Sequence, residues 1–127
     1  MRTDFGELSK CGIPAALVKE ILASGVERIL LVDVLPAEGV YSHWLNTIFL
    51  RRLSRAEKEK AREILSEENG GIDVSRDETY LFTLLHEWAH HKGLRDQEAD
   101  LFARKELCDR RGFDRRFSIH IGEFPYP

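Results

Sequence analysis

The sequence predicts an α+β fold in which a small β-sheet packs against one central helix and further helices. Two apolar stretches between residues 28 and 50 carry the strand-favouring residues. Two capping boxes, Ser54-Arg55-Ala56-Glu57 and Ser75-Arg76-Asp77-Glu78, open helical segments in the second half of the chain. A length of 127 residues, 43% of them apolar and 32% charged, suits one soluble globular domain spanning 1–127 with a core of its own.

Taken in order, residues 14–23 form a short helix, with Pro14 suited to its first turn and Gly25 to its end. Residues 28–35 include the run Ile29-Leu30-Leu31-Val32-Asp33-Val34-Leu35 and read as a buried strand, punctuated by Pro36 and Gly39. Residues 40–50 read as a second strand, where Asn46-Thr47 leaves a bulge or an interruption open. The Ser54 box opens a charged helix to about Glu67 whose charges suit a solvated face, and Asn69-Gly70-Gly71 is a loop. A helix then starts near Arg76, buries Leu81, Leu84, Leu85 and Trp88 as a stripe, and stops at Gly93 in a left-handed C′ position. A last helix covers 96–111, with Ala99, Phe102, Ala103 and Leu107 as its stripe and Gly112 after it.

The chemistry is concentrated in His86-Glu87-Trp88-Ala89-His90. Residues four apart lie one above the other on a helix, so both imidazoles project from one side and one tetrahedral zinc ion can take both. Glu87 lies close enough to handle a proton on a metal-bound water. A catalytic zinc needs a third protein ligand, and Asp96, Glu98 and Asp100 follow directly. On a helical wheel Asp96 falls inside or beside the apolar stripe, where a carboxylate needs a partner, so it is the first choice. Glu98 takes its place if the helix starts later, and Asp96 then serves only as an N-cap. Asp100, one turn on, either orients a ligating imidazole or pairs with Arg104. His120, in a tail where 117–121 alternates like a short strand, is a rival third ligand.

The run His86 to Asp96, H-E-W-A-H-H-K-G-L-R-D, resembles the H-E-x-x-H-x-x-G-x-x-D signature of compact zincin metallopeptidases. Asp96-Gln97-Glu98-Ala99-Asp100-Leu101-Phe102-Ala103 is similar to the E-x-x-A-D/N-x-F-A stretch of gluzincins of the ImmA/IrrE and CAAX-prenyl-protease types. The resemblance implies a minimal zincin-like domain, His86, His90 and Asp96 as zinc ligands, and Glu87 as catalytic base. Gluzincins supply glutamate where Asp96 stands, and Met1 is the only methionine, so the methionine turn of metzincins is absent.

The expected activity is hydrolysis of a peptide or protein substrate by a zinc-activated water. A non-peptide amide or ester hydrolase, and a binding or regulatory module merely clipped by metal, are the alternatives. Substrate would pair with a free strand edge beside the metal helix, and residues 43–50 are the candidate ledge unless that strand is internal. A net charge of −3 gives no footprint for nucleic acid. No apolar run reaches membrane-spanning length and the N-terminus lacks a signal-peptide core, so a cytoplasmic protein is expected. Cys11 and Cys108 lack metal-site spacing and are expected to be free.

Overall fold

The computed structural model describes residues 2–68 and 77–111, which form an α+β arrangement of helices around a three-stranded mixed sheet. Its elements are α1 (Phe5–Lys10), α2 (Ala15–Ala23), β1 (Arg28–Val32), β2 (Gly39–Ser42), β3 (Thr47–Arg51), α3 (Arg55–Glu68), α4 (Asp77–His91) and α5 (Asp96–Arg111). The strand order is β1-β3-β2, with β1 parallel and β2 antiparallel to β3. The Asn69–Gly71 loop, Ser75 and Arg76 of the second capping box, Gly112 and the 117–121 strand with His120 lie outside the described residues.

Two strand expectations are corrected. The apolar run after Arg28 leaves the sheet at Val32, and Val34 is 86% exposed, because the chain turns away before Asp33 can be buried. The second stretch is a hairpin, not one strand. Its turn at 43–46 ends on Asn46 with φ 51, a left-handed conformation that asparagine tolerates, and β3 starts at once on Thr47. The short α1 went unread in the sequence. It is capped by Asp4, whose carboxylate accepts the Glu7 N–H at 3.0 Å.

The Ser54 box forms as expected. Ser54 N–H donates to Glu57 Oε1 at 2.8 Å and Glu57 N–H to Ser54 Oγ at 3.2 Å. The core lies on one face of the sheet. Ile29 and Leu31 of β1, with Ile48 and Leu50 of β3, pack there with Leu17, Val18 and Ile21 of α2, Leu81, Leu84, Leu85 and Trp88 of α4, and Ala103 and Leu107 of α5. Gly39 and Tyr41 stand opposite Leu50 and Ile48 in the register, so they share that face and meet α4. Trp88 fixes the height of α4: its Nε1–H donates to Ser24 Oγ at 2.9 Å, and its ring meets Phe102 of α5 edge-on.

Candidate metal centre

The buried stripe of α4 leaves His86 and His90 on a neighbouring, half-buried face. Their rings stand 83° apart with centroids at 4.7 Å, and the two Nε2 atoms are 3.0 Å apart. Each ring is held from behind through Nδ1. His86 Nδ1 is 2.7 Å from Asp100 Oδ1, and His90 Nδ1 is 2.8 Å from the Leu94 carbonyl. A carbonyl only accepts, and so does an ionised carboxylate, so each Nδ1 carries the proton and each Nε2 presents a lone pair. This hydrogen bond is the contact that the orienting reading of Asp100 requires.

The Leu94 carbonyl reaches His90 because of how α4 ends. Gly93 has φ 92, Leu94 N–H returns to the Ala89 carbonyl at 3.1 Å, and Gly93 N–H returns to that of His90 at 3.0 Å. That pair of bonds is a Schellman motif. The left-handed stop expected at Gly93 therefore also orients a histidine.

Asp96 opens α5, and its Oδ1 lies 3.0 Å from His90 Nε2 and 3.6 Å from His86 Nε2. Its side chain is nonetheless 90% exposed. The expectation that it points into the interior is corrected: Asp96 stands at the mouth of the site, on the first turn, before the apolar stripe begins at Ala99. Glu98 is turned elsewhere, accepting the Arg95 N–H at 3.3 Å.

Glu87 is buried beside the imidazoles. Burial raises its pKa above the ordinary carboxylate value, against the pull of His86, His90 and the nearby Tyr41 backbone. Gly39 is what lets β2 lie this close to α4. A Cβ at Gly39 would fall 2.5 Å from Thr83 Cγ2 and 3.1 Å from Glu87 Cγ. The Tyr41 hydroxyl donates to Asn46 Oδ1 at 2.6 Å and lies 3.0 Å from His91 Nδ1, tying the hairpin turn to the end of α4. Sequence reasoning missed Gly39 and Tyr41. Gly39 read only as punctuation between strands, since close approach of a glycine has no local sequence mark.

His86, Glu87 and His90 form a group able to hold a metal ion, with ligand atoms within 4.8 Å of one another. The donor chemistry fits. With both Nδ1 atoms donating outward, the neutral imidazoles turn two Nε2 lone pairs towards the Asp96 carboxylate, a donor set that suits a cation. A tetrahedral ion with bonds of about 2.0–2.1 Å holds its nitrogens about 3.3–3.4 Å apart, so the rings need to open only slightly. Burial of the His86 ring opposes its charge, but Asp100, Glu87 and Asp96 outweigh that and raise its pKa. The same carboxylates favour any cation placed there.

A cleft of about 480 Å³ runs from this centre along β2 and α4 to α3. The candidate ledge at 43–50 is corrected, because β3 lies between two neighbours and the edge strand in the cleft is β2. The Arg51 N–H to Glu38 carbonyl bond sets the phase of the hairpin. Residues 38, 40 and 42 spend their backbone groups on β3, so those of Gly39 and Tyr41 point outward. His43 lies in the exposed turn, with its ring edge-on to Tyr41.

No protein-family model matches the chain, and no curated protein or solved structure matches it. The likeness to compact zincins therefore rests on the His-Glu-x-x-His cluster itself. No helix among the described residues is long and apolar enough to cross a membrane.

Proposed function

We propose that this chain is a zinc-dependent metallopeptidase. The observation that carries the reading is the convergence of His86 Nε2, His90 Nε2 and Asp96 Oδ1 beside the buried Glu87, at one end of a cleft with an edge strand. His86, His90 and Asp96 would hold the ion. Zinc, when bound, supplies a Lewis acid and lowers the pKa of water towards neutrality. Glu87 takes the proton of the attacking water and passes it to the leaving amine. The outward backbone groups of Gly39 and Tyr41 are free to pair with an extended peptide.

The test is cleavage of a mixed peptide library by the zinc-loaded protein and by Glu87→Gln. The variant keeps its metal and loses about 10²–10⁴-fold in turnover. Undiminished turnover by Glu87→Gln, or cleavage of esters but of no peptide, contradicts the reading.

A further inference from the structure

The end of the cleft remote from the imidazoles has a chemistry of its own. Helix α3, RAEKEKAREILSEE, is dense in charge, yet among the described residues those it gives to the cleft are Ala61 and Ile64, one turn apart. Ile64 is 48% exposed, a large aliphatic side chain kept open to solvent on a helix whose other exposed side chains, among the described residues and Ala56 apart, are charged. Helix α4 faces it with Phe82, Thr79 and Thr83. Among the described residues, the ionisable side chains of the cleft gather mostly at the other end, in Tyr41, His86, Glu87, His90 and Asp96, with Glu38 on the bend before β2.

We infer that Ala61, Ile64 and Phe82 form a side-chain subsite that selects peptides carrying an uncharged aliphatic or aromatic residue. The inference rests on the peptidase reading and names its substrate class. Thr83 and Thr79 stand one and two turns before Glu87, about 6–12 Å along the helix axis. An extended chain covers that span in about two to four residues. The preferred residue therefore lies within that distance of the bond cut, on a strand running along β2.

The experiment uses the full-length zinc-loaded protein and peptides in which one position at a time is Leu, Phe, Asp or Lys. One position within about four residues of the cleaved bond shows kcat/KM about tenfold or more higher for Leu and Phe than for Asp and Lys. Ile64→Asp, a half-exposed position where folding is retained, removes that preference mainly through KM. In a second readout free of turnover, Glu87→Gln protein binds the Leu peptide about tenfold more tightly than the Asp peptide, and adding Ile64→Asp abolishes the difference. Equal cleavage of all four classes, a preference for Lys, or a preference untouched by Ile64→Asp overturns the subsite. Absence of any cleavage defeats the peptidase reading instead, and the binding comparison then decides the subsite alone.

Discussion

Asp100 Oδ1 sits 2.7 Å from His86 Nδ1, and from inside α5 it decides which nitrogen of that imidazole faces the centre. Truncating it removes the acceptor that fixes the tautomer and the ring. Asp100→Ala is expected to weaken metal affinity about 10–100-fold while leaving the helices intact, measured by competition with a chromophoric chelator. Unchanged affinity would show that His86 needs no support.

Asp96 and Glu98 are separated by what each carboxylate touches. Asp96 reaches both Nε2 atoms, whereas Glu98 is occupied by the Arg95 N–H. Asp96→Ala is expected to lose metal during dialysis far faster than Glu98→Ala. Glu98→Ala costs instead about 0.5–1 kcal/mol of stability through the start of α5, read from thermal melts. The reverse ranking transfers the ligand role to Glu98.

Gly39 sets the gap between β2 and Glu87. Gly39→Ala places a methyl against Thr83 Cγ2 and Glu87 Cγ, pushing the strand off α4 and shifting Glu87. Overpacking of this kind costs about 1–3 kcal/mol. Thr83→Ser removes the clashing carbon while keeping the hydroxyl that donates to the Thr79 carbonyl at 2.9 Å. In a double-mutant cycle, Thr83→Ser is expected to restore part of both stability and turnover to Gly39→Ala. Strictly additive effects would mean that the close approach is irrelevant.

Much of this was legible in the sequence because it is local. The capping box at Ser54, the stop at Gly93, the stripes of α4 and α5 and the i, i+4 imidazoles each need only a few neighbouring residues. The supports of the site were legible in part, since the place of Asp100 one turn after Asp96 is itself a helical relation. Strand order was not legible. That Thr47–Arg51 is internal and Gly39–Ser42 is the edge depends on a parallel pairing of β1 with β3, for which no short sequence pattern stands. The exposure of Asp96 was misread for a related reason: a helical wheel gives direction around an axis and says nothing about where the neighbouring helix ends.

The Ser54 box makes a prediction about acid stability. The Ser54 N–H, and then the Arg51 guanidinium, hold Glu57 at about 2, below its ordinary 4.5. A carboxylate with a depressed folded-state pKa stabilises the fold above its unfolded pKa and loses that contribution as pH falls through the folded value. The difference in melting temperature between the wild type and Glu57→Gln is therefore expected to be constant above about pH 5, to shrink between about pH 4.5 and 2, and to vanish below. A difference that persists unchanged at low pH would show that the charge of Glu57 contributes nothing. Salt should reduce the Arg51 part, since the pair is partly exposed at 2.8 Å.

The most direct measurement is the metal content of the full chain, purified from zinc-replete medium without chelator and read by elemental analysis. One zinc per chain is expected for the wild type, and next to none for the His86→Ala/His90→Ala double variant with its fold intact by circular dichroism. A wild-type protein that carries no metal, or a double variant that keeps a full equivalent, contradicts the account.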